Sequence, residues 1–271
     1  MRIAISHTTH YEFPAPVMHG LQRLRLMPKT THGQRVLDWT MTLDGARDEA
    51  DYEDQHRNHV SLISIDSGAR AVTVTIDGMV ETCDNTGVVG AHAGHMPLWA
   101  FMNQTALTRP GTRLRQLVAG LDADRSDRVS TLHALSAAVR EAVCYEAGHT
   151  HAMTTAEEAL AAQRGVCQDH AHVFIGAARM LGVPARYVSG YLLLNDRIDQ
   201  DAGHAWAEAH VEGLGWVGFD VSNGISPDEH YVRVATGCDY REAAPVTGIA
   251  LGGGQAELHV RLAVAQQTAE Q

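Results

Sequence analysis

The chain has 271 residues, of which 45% are apolar and 20% are charged, a balance typical of a globular protein with one large domain or two modest ones. Acidic residues outnumber basic ones by 32 to 21, which gives a formal net charge of −11. Because this charge repels phosphate groups and anionic lipids, we expect neither nucleic acid nor a membrane among the partners. The N-terminus lacks a signal-peptide pattern and no apolar stretch is long enough to span a bilayer, so we expect a cytoplasmic protein.

Residues 1–83 are predicted to form β-strands, because apolar and polar residues alternate there in short runs between turn-forming residues. The alternation is clearest in three runs, 37–43, 60–65 and 72–76. The last two runs are joined through Ser67-Gly68, which predicts a hairpin. The acidic stretch 48–54 has no apolar period and indicates a solvated loop. We predict a β-sandwich-like N-terminal domain over 1–105 and a second domain over 106–271.

The second half of the chain begins with three predicted helices, in which apolar residues recur at three- and four-residue steps. The first follows Ser130 as its N-cap, and the second follows a capping box of Thr154 and Glu157. The third begins at Cys167 and ends before Gly182, which can take the left-handed cap conformation. A cysteine in the first helical turn lies near unpaired backbone N–H groups, and the helix dipole there favours the nucleophilic thiolate.

Beyond the third helix the apolar period changes from 3.6 to 2, which predicts antiparallel strands. His204 begins one of these strands and Asp220 ends the next, so both can face the helix that starts at Cys167. A thiol nucleophile needs a base and a group that orients the base, and these three residue types supply those functions. A symmetric turn at 213–215 would place Glu208 opposite Asp220, so Glu208 is an alternative orienting acid.

Histidines are abundant, with 17 in the chain, and some of them form close pairs. The pairs are His92 and His95, His149 and His151, and His170 and His172. Paired histidines can chelate a transition metal, but no third ligand accompanies these pairs at a defined spacing. A histidine-rich metal protein is therefore kept only as an alternative. The four cysteines are scattered without a C-x-x-C pair, which predicts neither a disulfide framework nor a zinc knuckle.

The stretches around these residues form a longer pattern. They include Arg-Gly-Val-Cys-Gln-Asp-His-Ala-His at 164–172, His-Ala-Trp at 204–206 and Gly-Trp-Val-Gly-Phe-Asp at 215–220. Residues 155–160, 182–191, 11–16 and 24–28 belong to the same pattern. Together they resemble the bacterial transglutaminase-like cysteine proteases of the transglutaminase-like superfamily, including the N-terminal region that the bacterial members carry. Two positions depart from that pattern: Val221-Ser222 stands where Pro-Thr is usual, and Cys238 stands where an arginine is usual.

The resemblance implies an α+β fold, with a papain-like core in which the catalytic helix packs on an antiparallel sheet. It implies that Cys167 is the nucleophile, that His204 is the base and then the acid, and that Asp220 orients the histidine. We expect hydrolysis of an amide or peptide substrate through a thioester, without a cofactor or metal. Acyl transfer to an amine, as in a transglutaminase, is the alternative. Three further side chains are candidates for binding substrate or the oxyanion: Gln168, Tyr191 and Trp206.

Overall fold

A computed structural model describes residues 1–124 and 126–267 of the chain. In chain order its strands are β1 (Arg2–Glu12), β2 (Val17–Leu24), β3 (Gln34–Asp44), β4 (Ala46–Glu53), β5 (His59–Ile65), β6 (Ala71–Thr82), β7 (Val88–Gly90), β8 (Cys144–Tyr145), β9 (Arg164–Gly165), β10 (Ala185–Leu192), β11 (Asp199–Gln200), β12 (His204–Val211), β13 (Gly215–Phe219), β14 (Tyr231–Gly237), β15 (Val246–Gly252) and β16 (Glu257–Gln266). Its helices are α1 (Thr112–Ala119), α2 (Arg128–Ala142), α3 (Ala156–Ala162), α4 (Cys167–Met180) and α5 (Tyr240–Ala243), with a 3-10 helix at Leu98–Met102. None of the helices in this part of the chain is long and apolar enough to cross a bilayer.

Two antiparallel sheets form the N-terminal half, and strands from the end of the chain complete both. One sheet has the order β11-β16-β1-β6-β3, and the other has the order β15-β2-β5-β4. Apolar side chains from both sheets, among them Val17, Ile63 and Ile76, share one core cluster. The division of the chain at residue 105 stays a prediction. Strands β15 and β16, which lie after it, pair with β2 and β1.

Two local predictions for this half are wrong. The runs 60–65 and 72–76 do not form a hairpin, because β5 pairs with β2 and β4 whereas β6 pairs with β1 and β3 in the other sheet. Residues 48–53 of the acidic stretch lie in the edge strand β4 and not in a loop, since their backbone pairs with β5 while their charged side chains stay exposed; Asp54 follows the strand and is buried. Charged side chains on an edge strand oppose pairing with a second chain. An edge strand can therefore be acidic along its length, without alternating apolar residues.

The second half is built on a five-stranded antiparallel sheet with the order β14-β10-β12-β13-β7. Helix α4 packs against β10 and β12, while α2 and α3 pack against α4. Ala205, Ala207 and Ala209 of β12 share a core cluster with Phe174 of α4, and their small side chains let the helix lie close to the sheet. The alternate residues of β12, beginning with His204, remain free for other contacts.

The three predicted helices correspond to α2, α3 and α4, whereas α1 and α5 were not predicted, and two of the predicted N-caps differ by a few residues. The cap of α2 is Asp127, whose side chain accepts a hydrogen bond from the Ser130 N–H, and not Ser130 itself. The capping box of α3 uses Thr155 and Glu158, one residue later than predicted. Glu157 instead accepts hydrogen bonds from backbone N–H groups at the start of α1, so this carboxylate caps a neighbouring helix.

Candidate active site

Cys167 is the first residue of α4, and a hydrogen-bond network fixes the turn before it. The Asp169 carboxylate accepts hydrogen bonds from the Val166 N–H at 2.8 Å and from the Thr150 hydroxyl at 2.7 Å. Gly165 leaves room for this carboxylate, because a Cβ at position 165 would lie 2.7 Å from side-chain atoms of Asp169. The half-buried Cys167 side chain is therefore held at the positive end of the helix.

His204 and Asp220 form a short, partly buried hydrogen bond, with His204 Nε2 2.6 Å from Asp220 Oδ2. The side-chain amide of Asn223 and the hydroxyl of Tyr231 also donate to Asp220, each at 2.7 Å. Burial alone would raise the pKa of Asp220, but these three donors and the charge on His204 lower it below its ordinary value. Asp220 is therefore an ionised carboxylate that holds Nε2–H of the imidazole.

The imidazole of His204 also interacts with the sulfur of Cys167. Burial would lower the pKa of His204, but hydrogen bonds and charges from Asp220 and Cys167 outweigh burial and raise this pKa to about 10. An imidazolium beside the sulfur stabilises a thiolate, which is the nucleophilic form of cysteine. Since Asp220 occupies Nε2, Nδ1 is the ring nitrogen left to exchange a proton during a reaction.

The pairing of β12 with β13 explains how His204 and Asp220 meet. Glu208 lies opposite Gly218 and not opposite Asp220, because the turn between the two strands spans residues 212–214 and is centred on Gly213. Continuing the register places Asp220 level with Trp206, one diagonal step from His204. Diagonal neighbours lie about 7 to 8 Å apart, which the two side chains can bridge. The turn at 213–215 considered from the sequence is therefore wrong.

Glu208 has a different role, as the centre of a buried ion cluster. Its carboxylate lies 2.6 Å from Arg186 Nε and 2.8 Å from Arg233 Nε. Burial would raise the pKa of Glu208, but the two guanidinium groups lower it to about 2. Arg186 also stacks on Trp216, with its guanidinium carbon 3.8 Å from the ring centroid. The hydrogen-bond partner of His204 is therefore Asp220, because the Glu208 carboxylate binds Arg186 and Arg233 instead.

Two protein-family models match parts of the chain. Residues 115–221, which contain Cys167, His204 and Asp220, match the model of the transglutaminase-like superfamily. Residues 3–81 match the model of the bacterial transglutaminase-like N-terminal region. The chain belongs to the transglutaminase-like superfamily. The family resemblance of the sequence is thereby confirmed.

Relatives of this superfamily member include uncharacterized proteins from mycobacteria. One from Mycobacterium leprae is 29% identical, and the match covers 96% of each chain. One from Mycobacterium tuberculosis is 28% identical over 92% of this chain and 87% of its own. The crystal structure of a presumed cysteine protease from Cytophaga hutchinsonii has a TM-score of 0.76 at 20% identity, covering 100% of this chain and 92% of that one. This likeness shows a shared mixed fold in which sheets dominate, in agreement with the expected α+β class.

Trp206 and Gln168, two of the three predicted accessory residues, lie next to His204 and Cys167. The Trp206 ring stacks on His204 with centroids 6.2 Å apart and meets Tyr231 edge-on. Trp206 therefore restricts the imidazole. Gln168 follows Cys167 in the chain, and its side-chain amide donates to the Ala152 carbonyl at 2.8 Å, which ties the start of α4 to the preceding loop.

Tyr191, the third predicted accessory residue, is not brought to Cys167. Its hydroxyl lies 2.9 Å from His7 Nδ1, and its buried ring packs with apolar residues of β1, β6 and β16. Tyr191 thus joins the two halves of the protein. Alternation along β10 does not indicate which of its two faces meets the N-terminal sheet. The sequence therefore could not distinguish a Tyr191 that binds substrate from one that packs between the two halves.

Sequence reasoning missed three residues around Cys167, His204 and Asp220. Asn223 and Tyr231 both donate to Asp220, and Tyr145 lies near Cys167 at the surface. Burial, followed by the charges of Cys167 and Asp220, raises the pKa of the Tyr145 phenol. No local pattern marks Asn223 or Tyr145. Tyr231 begins a strand, but only the folded sheet shows that its hydroxyl reaches Asp220.

The histidine pairs do not converge on a metal. Both ring nitrogens of His170 are used, since Nε2 lies 2.8 Å from a backbone carbonyl and Nδ1 lies 2.8 Å from the Ser222 hydroxyl. Burial lowers the pKa of His172 to about 3, and His149 bonds a surface glutamate. In the part of the chain that the structure describes, none of these pairs belongs to a cluster of three metal-ligating side chains. The metal-protein alternative therefore gains no support.

Proposed function

We propose that this protein is a thiol-dependent hydrolase of amide or peptide bonds. The observation that carries the proposal is the 2.6 Å contact between His204 Nε2 and Asp220 Oδ2, on an imidazole that also interacts with Cys167. This arrangement supports Cys167 as the nucleophile, His204 as the proton carrier and Asp220 as the group that fixes the imidazole.

In the first half-reaction, the Cys167 sulfur attacks the substrate carbonyl carbon and a C–S bond forms. The backbone N–H of Cys167 has no acceptor among residues 1–124 and 126–267, so it can donate to the developing oxyanion at the start of α4. His204 then donates its Nδ1 proton to the leaving nitrogen, the C–N bond breaks and the amine departs. The acyl group remains on Cys167 as a thioester.

In the second half-reaction, the neutral His204 accepts a proton from water while the water oxygen attacks the thioester carbonyl. The C–S bond breaks, the carboxylic acid leaves, and the thiolate and imidazolium are restored. Asp220 stays ionised throughout, because its hydrogen-bond donors lower its pKa. Its role is to keep Nε2–H in place and to stabilise the imidazolium.

Acyl transfer to an amine is the second candidate function, because it uses the same thioester and the superfamily supports it. An amine outcompetes water only where a site binds it and excludes solvent. Residues 195–199 and 201–203, which lead into His204, are exposed. A cavity of about 690 Å³ lies between Lys29 and Trp216, and Cys167 is not among its lining residues. These features favour water as the acceptor.

The two functions are separated by incubating the protein with a library of glutamine- and amide-containing peptides and an excess of a labelled primary amine. We expect cleavage or deamidation to exceed amine adduct, and Cys167→Ala to form neither product. Predominant adduct would make the protein a transglutaminase. Equal product from Cys167→Ala would reject both candidate functions.

A further inference from the structure

Cys238 belongs to a separate cluster of reactive groups that the proposed reaction does not use. The ligand atoms of His56, Cys238 and Glu242 all lie within 4.8 Å of one another. The Cys238 carbonyl accepts a hydrogen bond from Arg179, near the C-terminal end of α4. About 18 Å of helix separates Arg179 from Cys167 at the other end. The cluster shares no side chain with Cys167, His204 or Asp220.

The turn that carries His56, between β4 and β5, is fixed against β14. The Asp54 carboxylate accepts hydrogen bonds from the N–H groups of His56 at 2.9 Å and Asn58 at 3.0 Å. Asn58 and Thr236 are joined in both directions, from Asn58 Nδ2 to the Thr236 carbonyl at 2.8 Å and from the Thr236 N–H to Asn58 Oδ1 at 2.9 Å. An imidazole from the N-terminal sheets is therefore held rigidly beside a thiol of the second half, and rigid donors favour metal binding.

We propose that His56 Nε2, Cys238 Sγ and Glu242 Oε2 bind one zinc ion. Imidazole, thiolate and carboxylate are the ligands that zinc prefers, with bonds of about 2.0 to 2.3 Å. A tetrahedron with such bonds places its ligand atoms about 3.3 to 3.8 Å apart. Here His56 Nε2 and Glu242 Oε2 are 2.8 Å apart and no pair exceeds 4.8 Å, so small side-chain movements produce the geometry. The Glu242 side chain is 39% exposed, which leaves water access to the fourth position.

The surrounding charges suit a divalent cation bound with a thiolate. Glu242 and Asp239 are acidic, and Arg179 is the basic group that acts on Cys238 with them. When Zn²⁺ and the Cys238 thiolate are added to these two carboxylates and one guanidinium, the net charge of the group is zero. A thiol that coordinates zinc gives up its proton, so Cys238 would bind as the thiolate.

The proton balance of binding is simple. The thiol releases one proton to solvent, and the proton on His56 Nε2 moves to Nδ1. That nitrogen has no hydrogen-bond partner among the residues that the structure covers, so it is unpaired in either tautomer and the shift adds no new unpaired atom. The bound ion would fasten the β4–β5 turn to α5, a structural role that does not depend on the proposed hydrolase activity.

The test is cobalt(II) titration of the full chain, because a thiolate bound to cobalt gives a charge-transfer band in the near ultraviolet. We expect one equivalent to bind, the band to appear in wild type and in Cys167→Ser, and zinc to displace the cobalt. Cys238→Ser should lose the band. Cys144→Ser, at an exposed cysteine, is the matched control and should keep it.

His56→Gln keeps every thiol and is expected to weaken cobalt binding by at least about 10-fold. It decides the outcome if Cys238→Ser fails to fold, as judged by circular dichroism. A band that persists in Cys238→Ser, a band lost in Cys167→Ser, or unchanged affinity in His56→Gln would overturn the proposal. So would the absence of any thiolate band in the wild-type protein.

Discussion

Replacing Asp220 with asparagine is expected to slow turnover severely while preserving the fold. The substitution keeps the side-chain shape but places an amide where His204 Nε2, Asn223 and Tyr231 donate to a carboxylate. An amide carries no charge to stabilise the imidazolium, and its nitrogen cannot accept the Nε2 proton. The imidazole can then take the wrong tautomer, with its proton on Nδ1, so that Nδ1 cannot accept a proton from the Cys167 thiol or from the attacking water.

The magnitude follows from the pKa of His204, which is raised from 6.5 to about 10. This difference corresponds to about 5 kcal/mol, at about 1.36 kcal/mol per pKa unit. Asp220 and Cys167 supply it together, so removing the Asp220 charge removes about 2 to 3 kcal/mol of imidazolium stabilisation. We expect kcat/KM to fall by about 100-fold from this effect alone, and towards about 10⁴-fold where the wrong tautomer also forms.

Glu208→Gln is the matched control, because it makes the same chemical change at another buried carboxylate, on the strand that begins with His204. It leaves Arg186 and Arg233 without their buried counter-ion. Breaking such a cluster costs about 3 to 5 kcal/mol. The pKa of Glu208, lowered from 4.5 to about 2, corresponds to roughly 3 kcal/mol. Because the folded-state pKa is the lower one, this stability is present above pH 4.5 and is lost as the pH falls towards 2.

Two assays separate the variants: kcat/KM on a peptide selected from the library, and the urea midpoint of unfolding. Asp220→Asn should lose activity with a smaller change in midpoint than Glu208→Gln. Glu208→Gln should unfold at lower urea while its folded fraction keeps nearly normal kcat/KM. Equal losses of activity, or a larger loss in Glu208→Gln, would refute the assignment of Asp220.

Three further predictions follow from the site. The basic limb of the pH profile of kcat/KM should lie near pH 10, where His204 loses the proton that the leaving group needs, and a limb near pH 6.5 would contradict this role. Gly165→Ala should slow iodoacetamide labelling of Cys167 by about 10- to 100-fold, because the Cβ of the alanine would displace Asp169 and the turn before α4. An unchanged labelling rate would show that the turn tolerates the methyl group. Chelation should leave kcat unchanged at temperatures where the protein stays folded, because thiolate, imidazole and carboxylate supply the chemistry; a loss of kcat restored by zinc would place a metal in the reaction.

Features set by residues close together in the chain could be predicted from the sequence. The helix that begins at Cys167 ends at Met180, and Gly182 takes the left-handed conformation with φ of 75°, as the apolar period and the glycine predict. The order of Cys167, His204 and Asp220 on a helix start and two strands was also predictable. These features depend on periodicity and capping, which neighbouring residues determine.

Features set by contacts between distant segments could not be predicted. The turn that aligns Asp220 with His204 is centred on Gly213 and not on Leu214, which changes the register by two residues, and turn residues alone do not fix that difference. Nothing local shows that Glu208 meets Arg233, or that the acidic strand β4 lies at a sheet edge. The His56 turn meets Cys238 only because the N-terminal sheets pack on the second half.

The central claim, that Cys167 carries the acyl group, is tested most directly by mass spectrometry of the protein quenched in acid during turnover. We predict one acyl adduct per molecule, mapped to Cys167 and removed by hydroxylamine as a thioester should be. Cys167→Ala should show no adduct and no turnover. An adduct on Cys238, or continued turnover by Cys167→Ala, would contradict the account.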